Sequence, residues 1–358
     1  MTVAATVTSP LPVHAAEVAC SQAWAALGAP SASVVISTFR RAAYLRELVA
    51  ALEALRAPAG GGVEAVIVDN GSGDATWPTL VELALTTSLA LAVVRVEANR
   101  GPGGGRNVGL ALARAELVAF TDDDCLPTPG WLEGVATCFA DPAVDVVQGR
   151  VAPDPAQEAV MGAWDHTVAV GGPTPFFETS NVAYRRSAVL SVGGFDEDDP
   201  LTSRQAGGRA FGEDALLGWR VVEAGGARAW AGDSVVHHRC VPSTYLGLLR
   251  SYRWLEGMPG LAGRSAVVRA SLYRRVFLNS QTAKVDLALV GIGASLVLRR
   301  TWPLAAAAPW VRMRWPDAVH RVRGRRRAPA YLVGRFVVEA YGAAAFLRGS
   351  IRHRRVVL

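Results

Sequence analysis

Apolar residues in the first two-thirds of the chain fall into short blocks that alternate between two periods. Ser33 to Thr38 is a β-branched run that reads as a buried strand. Phe39-Arg40-Arg41 make a turn, and Tyr44, Leu45, Leu48, Leu52 and Leu55 then recur at helical spacing until Pro58 to Gly62 ends the helix. A second strand, Glu64 to Asp69, runs into the turn cluster Asn70-Gly71-Ser72-Gly73-Asp74, and a helix follows from Trp77. A third strand, Leu91 to Val96, leads into the glycine-rich turn Asn99 to Asn107 and a helix from Val108 to Ala115. The fourth block, Leu117 to Phe120, ends abruptly in Thr121 and the carboxylates Asp122, Asp123 and Asp124. Strand and helix alternating at roughly 30-residue intervals predict a doubly wound, mostly parallel α/β sheet.

Beyond the acids the pattern predicts a helix over Trp131 to Phe139 and a strand over Asp145 to Val151, then a looser section to Pro175. Phe177 to Arg186 reads as strand into helix, and Gly193 to Asp199 as a turn carrying four acids. Ser203 to Gly212, rich in Gly and Arg, reads as a mobile loop before a helix that opens with Glu213-Asp214. At the other end, a Thr/Ser/Pro leader precedes a short amphipathic helix from His14 to Leu27. From Pro242 the texture changes to apolar segments spaced by Arg. The 14 residues from Val285 to Leu298 are apolar apart from Asp286, short of the roughly 20 needed to span a bilayer. The boundaries expected are an N-terminal extension (1–30), a catalytic domain (31–240) and a basic, mainly helical C-terminal region (241–358).

Charge sharpens that division. Residues 1–238 hold 15 Arg against 27 Asp and Glu, a net −12, and residues 239–358 hold 22 Lys and Arg against 4 acids, a net +18. An acidic body with a basic tail points to anionic lipid, nucleic acid or an acidic partner, and the Arg-spaced apolar segments favour an anionic membrane surface over a bilayer span or a helical subdomain with a solvated Arg face. The Arg321 to Arg327 run has no nucleic-acid fold or interleaved aromatics, so nucleic acid is not expected. Four dispersed cysteines and no secretory signal point to a reduced, cytoplasmic compartment.

Ligands of doubly wound sheets bind beyond the carboxyl ends of the strands. Thr38, Asp69, Asn99 and Asp122 each stand at such an end and are expected to share one crevice. Three adjacent acids there suit a hard divalent cation bridging to phosphate oxygens. The glycine-rich turn invites a dinucleotide-binding reading, but Arg106 stands where the third glycine belongs and the turn follows the third strand rather than the first. The only lysine, Lys284, lies in the tail, so there is no phosphate-loop lysine.

The motifs Val34 to Arg40, Val66 to Ser72, Asn99 to Asn107, Thr121 to Asp124, Thr179 to Arg186, Gly193 to Glu197, Gly212-Glu213-Asp214 and His237-His238, in this order, resemble a family 2 glycosyltransferase of the GT-A fold. The resemblance covers about residues 31–240. It implies an inverting transfer from a nucleotide-diphosphate sugar, a UDP-sugar favoured, to an acceptor hydroxyl, with Mn²⁺ or Mg²⁺. Asp69 resembles the acid that binds the donor's base, with Thr38 and Arg40 beside it. Asn99, Arg106, Asp122 and Asp123 fall on the donor side. Asp124 resembles the metal ligand and His238 the histidine completing that site, although His237 beside it leaves open which ring points inward. Asp214 resembles the catalytic base with Glu213 its neighbour, and Asn181 and Asp196 fall on the acceptor side. Gly105 stands where the family often has Ala, and Ser180 where Gly is common. The rivals are a sugar-nucleotide pyrophosphorylase, which needs a glycine-rich loop after the first strand that Phe39-Arg40-Arg41 lacks, and a non-catalytic scaffold recruited to membranes. With the basic tail, the resemblance implies a cytoplasmic enzyme peripheral to the inner face of the cell membrane.

Overall fold

The computed structural model describes Leu11 and residues 15–58, 61–202 and 210–358. Most of the Thr/Ser/Pro leader, Ala59 and Gly60 of the stretch expected to end the first long helix, and most of the Gly/Arg-rich loop lie outside the described residues. The chain divides into two compact units: residues up to Pro155 with Val168–Arg239, and Ala156–Thr167 with Cys240–Leu358.

The first unit opens with β1 (Glu17–Cys20) and α1 (Gln22–Ala26). The single helix expected over His14 to Leu27 is therefore a strand and one helical turn. Ser21 breaks the run: its hydroxyl caps α1 through the Trp24 N–H (3.1 Å) and donates to the Leu89 carbonyl (2.7 Å), which ties β1 to the sheet edge. Then come β2 (Pro30–Thr38), α2 (Ala42–Glu53), β3 (Gly62–Asp69), α3 (Thr76–Thr86), β4 (Ala90–Arg95), α4 (Gly101–Leu112) and β5 (Leu117–Phe120). The remainder is β6 (Cys125–Pro127), α5 (Trp131–Cys138), β7 (Val144–Pro153), β8 (Val182–Arg185), α7 (Arg186–Ser191), α8 (Glu213–Glu223) and β9 (Ala227–His238), while the short α6 (Pro155–Glu158) falls in the second unit from Ala156 on.

These strands form one sheet in the order β1-β4-β3-β2-β5-β8-β7-β9-β6. From β4 to β5 the pairing is parallel, as the strand–helix repeat predicts. Beyond β5 it is mixed: β8 runs antiparallel to β5 and β7, β9 parallel to β7, and β6 antiparallel to β9. Alternate strand residues face opposite sides. Ile67 joins Ile36, Leu45, Leu80 and Trp131 in the core on one face, while Val66 and Val68 pack with Val94, Val108 and Leu112 on the other. Both faces are thus covered, which leaves the strand ends as the place for chemistry.

Two features depart from the sequence pattern. Helix α4 starts at Gly101 and absorbs the glycine-rich turn, seven residues earlier than expected. Glycine is a poor helix former, but a Cβ on Gly105 would lie 2.1 Å from Ser37 Oγ. Close packing against β2 therefore outweighs propensity. Strands β6 and β9 were not evident in the pattern either, the one because it is three residues long and the other because its burial is irregular.

The second unit holds α9 (Tyr245–Ser251), α10 (Met258–Arg264), α11 (Ala266–Ser271), α12 (Ser280–Leu298), α13 (Ala308–Arg321) and α14 (Ala328–His353), with 3₁₀ turns at Tyr252–Gly257 and Trp302–Ala307. Segment Ala156–Thr167 belongs here although it lies within the expected catalytic stretch. His166 and Val241 exchange backbone hydrogen bonds of 3.2 and 2.8 Å, and Trp164 stacks on Tyr331 at 4.9 Å. Val285, Ala288, Trp310, Ala318, Tyr331 and Leu332 form its core. Glu339, buried within α14, accepts hydrogen bonds from Trp310 Nε1 (2.6 Å) and Arg335 Nε (2.9 Å) and pairs with Arg314 (2.5 Å). Helix α12 begins five residues before its apolar run, because Asn279 and Thr282 form a capping box. At 19 residues it is longer than the apolar run suggested; α12 and α14 are both long and apolar enough to cross a membrane by length and composition.

Candidate active site

The carboxyl ends of the parallel strands open onto a cavity of about 340 Å³. Thr38, Asn99, Arg106, Asp122, Asp123, Asp124 and His238 all line it. Each arrives by a different local device. Thr38 is the last residue of β2 and donates its hydroxyl proton to Asp123 Oδ2 at 2.6 Å. Asn99 accepts from the Gly101 N–H (2.9 Å), setting the first turn of α4. Arg106, on the second turn of α4, reaches Asp122 Oδ1 with Nη2 (2.7 Å) and Glu213 Oε1 with Nη1 (3.0 Å). That guanidinium, 5% exposed, ties the acids after β5 to the start of α8. Burial opposes its charge, and the carboxylates of Asp122 and Glu213 outweigh the opposition, so its pKa rises.

His238 comes from the last residue of β9, which pairs with Cys125 across the antiparallel β6–β9 ladder. Its Nε2 lies 3.6 Å from Asp124 Oδ1 and its Nδ1 is 2.7 Å from the Arg239 carbonyl. His237, its neighbour, points off the cavity wall, as strand alternation requires.

The three acids feel one another and their burial. Burial pushes Asp123 up to about 6, against the hydrogen bond from Thr38. Asp124 is raised by burial and then by Asp122. An oxygen of Asp124, the Cys125 sulfur and a nitrogen of His238 all lie within 4.8 Å of one another. Burial raises the Cys125 thiol well above its ordinary value, and sulfur is a soft donor that hard cations do not favour. Carboxylate oxygen and imidazole remain, a donor set that fits Mn²⁺ or Mg²⁺.

Asp69 corrects one expectation. It stands at the end of β3 beside Thr38 in register, but it is fully buried and forms no part of the cavity wall. Its Oδ1 accepts from the Ser72 N–H (2.9 Å), so the Asn70-Gly71-Ser72 turn closes over it. Oδ2 has no hydrogen-bond partner among the described residues and lies 3.9 Å from Arg95 Nε. Burial raises its pKa, and Ser72 offsets part of the rise. Arg40 likewise stands outside the wall, an exposed residue at φ 57° whose backbone N–H bonds Ser72 Oγ.

The acid pair at the start of α8 is split by its surroundings. Gly212, at φ 73°, supplies a left-handed residue that few side chains tolerate, and the helix then opens with Glu213 bound to Arg106. Asp214 takes the Ala215 N–H at 2.8 Å. Burial, then Glu213, pushes the Asp214 carboxyl well above the usual range.

The acceptor-side pair is a second correction. The amide of Asn181 is consumed by the fold: it accepts from Trp131 Nε1 (2.7 Å) and donates to the Arg150 and Ser234 carbonyls (2.8 and 2.9 Å). Asp196 Oδ1 holds the N–H groups of Asp198 and Asp199 (2.9 and 3.1 Å), closing its own turn. Neither lines the cavity.

Sequence reading missed Arg41, which does line it. Arg41 lies 3.8 Å from Asp123 and 3.6 Å from Asp124, with its guanidinium 5.1 Å from the Tyr44 ring centre. A second arginine in a turn reads as a solvated charge, so nothing in the sequence marks it. Asn70 also lines the cavity and fastens β3 to α4 by donating to the Gly101 carbonyl (2.7 Å) and accepting from the Arg100 N–H (3.0 Å).

The site is thus a crevice at the ends of parallel strands, walled by acids, a histidine and a buried arginine, with donors suited to a cation and a guanidinium suited to phosphate. The family description "Glycosyl transferase family 2" matches residues 33–192, and "Glycosyl transferase family group 2" matches residues 117–313, more than half the chain. The chain belongs to the family 2 glycosyltransferases. It is 30% identical over 218 residues to the pre-mycofactocin glycosyltransferase of Mycobacterium tuberculosis, covering 58% of this chain and 42% of that one. It thus matches less than half the length of those relatives. The succinoglycan biosynthesis protein ExoO of Rhizobium meliloti is 37% identical over 95 residues, 26% of each chain. Among solved structures, the mannosyltransferase PcManGT from Pyrobaculum calidifontis, in complex with GDP-Man and Mn²⁺, superposes with a TM-score of 0.55 at 22% identity, covering 90% of this chain and 87% of that one. This likeness establishes a shared fold.

Proposed function

We propose that this chain is an inverting, metal-dependent glycosyltransferase that moves a sugar from a nucleoside diphosphate to an acceptor hydroxyl by direct displacement. The observation that carries the reading is the double grip of Arg106, which ties the donor-side Asp122 to the Glu213-Asp214 pair at the head of α8. One buried guanidinium thereby couples the end of the cavity suited to diphosphate to Glu213, the chain neighbour of the carboxyl assigned to proton removal, Asp214, which itself stands off the cavity wall.

Asp124 and His238 would hold Mn²⁺ or Mg²⁺. Such an ion supplies neutralisation of the charge that develops on the departing diphosphate. Arg106 adds fixed positive charge beside Asp122 and needs no rearrangement to do so. Asp69, with an acceptor oxygen free of hydrogen bonds, suits an N–H of the donor base once the Ser72 turn admits it. Asp214 takes the proton of the attacking hydroxyl, a role its raised pKa favours. A UDP-sugar is the donor expected; the PcManGT complex with GDP-Man and Mn²⁺ supports a nucleotide-diphosphate sugar and a cation in general. The basic second unit is read as peripheral to the cytoplasmic face of an anionic membrane.

Asp214→Asn tests the base: transfer should fall about 10²–10⁴-fold while titration calorimetry still shows UDP binding with Mn²⁺. Near-normal turnover would assign the proton to another group. In the wild type the base works only as carboxylate, and its pKa lies above the ordinary value. Activity should therefore fall, as pH is lowered, at a point above the ordinary carboxylate range of about 4. EDTA should abolish transfer and Mn²⁺ or Mg²⁺ restore it; full activity in chelator removes the role given to Asp124 and His238.

A further inference from the structure

Four strongly exposed apolar side chains of the second unit flank one bend, the knuckle between α12 and the 3₁₀ turn Trp302–Ala307, whereas Val290, Val333, Ile351 and Val356 are exposed singly elsewhere. Leu296 is 75%, Val297 82% and Trp302 71% exposed, with Leu298 beside them at 53%. Internal packing at this hairpin is already complete without them. A Cβ on Gly291 would lie 2.6 Å from the Pro303 carbonyl and 2.7 Å from Ala306 Cβ, so the turn folds flush onto α12 one helical turn and more before the knuckle.

Two arginines occupy the bend itself. Arg299 ends α12 in the left-handed conformation, φ 53°, a position where glycine is the easier residue. Arg300 follows, and both are exposed. The backbone at the bend is nonetheless held: the Arg300 N–H bonds the Ser295 carbonyl at 3.2 Å, and the Ser295 hydroxyl donates to the Arg300 carbonyl. The chain therefore presents two cations on a held backbone bend, flanked by four exposed apolar side chains, at a backbone cost that a solvent-facing turn would not need.

We propose that this knuckle is the membrane anchor of the chain, its apolar side chains entering the acyl boundary while Arg299 and Arg300 meet lipid phosphates. The inference rests on the peripheral-membrane reading above and locates it. A second copy is the less suitable occupant, since a self-complementary contact would set paired arginines against paired arginines, whereas an anionic headgroup layer complements them. Trp302 fits the same boundary, because its ring is amphipathic and prefers the headgroup level. The net +18 of residues 239–358 adds a long-range pull of the same sign.

The test is co-sedimentation of the full chain with sucrose-loaded vesicles of phosphatidylcholine alone, or of phosphatidylcholine and phosphatidylglycerol mixed roughly 2:1, at low and high salt. Wild type should sediment with the mixed vesicles and be released by salt. Leu296→Glu/Trp302→Glu should lower the bound fraction at least tenfold, with an unchanged melting temperature and unchanged UDP/Mn²⁺ binding. Arg299→Gln/Arg300→Gln should remove most of the salt sensitivity. If wild type binds and the Leu296→Glu/Trp302→Glu variant binds equally, the anchor lies elsewhere and only this inference falls. If wild type ignores both vesicles, the membrane reading falls with it. A wild-type dimer in light scattering that the same variant dissolves would make the knuckle a contact between copies and overturn the proposal.

Discussion

Two helices of this protein invert the usual relation between composition and burial. Helix α4 opens Gly-Pro-Gly-Gly-Gly-Arg-Asn, yet eleven of its twelve residues are buried. Helix α12 is rich in Val, Leu and Ala over nineteen residues, yet only Val285, Ala288 and Gly291 are buried. The difference lies in what each helix has to approach. In α4 the missing side chains let the helix backbone close on β2 and let Arg106 and Asn107 reach their partners inside the unit. In α12 one narrow stripe faces the core with Leu289 half-buried beside it, and Leu287, Val290, Leu296, Val297 and Leu298 stay exposed among the described residues. Burial follows from neighbours, and composition alone does not reveal them.

That contrast makes graded predictions. Leu110→Ala in α4 removes a side chain with no solvent exposure and should destabilise the chain by about 2–5 kcal/mol, read by denaturant unfolding. A loss below the range would mean that α4 is packed more loosely than its burial shows. Gly105→Ala should destabilise by about 1–3 kcal/mol through overpacking, because its methyl would meet Ser37 Oγ. Adding Ser37→Ala should return part of that loss; no rescue would place the clash on the atoms that remain, Cβ of residue 37 at 3.0 Å and Asn70 Nδ2 at 3.1 Å. At the small end, Leu296→Gln in α12 should change stability by no more than about 0.5 kcal/mol in vesicle-free buffer. A loss as large as that of Leu110→Ala would show that α12 is covered in solution and dissolve the comparison.

The parts of the cavity most legible in the sequence are those whose chemistry is local. A β-branched run ending in acids, an Asn-Gly turn after a strand and Gly-Glu-Asp before a helix each announce a strand end or a helix start. Cavity residues Thr38, Asn99, Arg106, Asp122, Asp123 and Asp124 come from such places. Arg41 was not legible, because its role depends on two acids more than eighty positions away. Asn181 and Asp196 carried a motif yet serve the fold, one joining α5, β7 and β9, the other closing its own turn. Of the four strand-end residues expected to share a crevice, Thr38, Asn99 and Asp122 line one cavity and Asp69 does not, because the Ser72 turn closes over its carboxylate.

What the sequence determined by itself was the period of the strand–helix repeat, the strand ends at which carboxylates collect and the sign of charge in each part. These follow from backbone and side-chain preferences acting over a few residues. The tertiary structure alone decided that β9 lies antiparallel to β6 and so brings His238 to Asp124, that Arg106 bridges two acids 91 positions apart in the chain, and that Ala156–Thr167 belongs with the C-terminal helices. Each depends on pairing between distant segments, whose free energy comes from the partner's surface and leaves no mark on the segment itself.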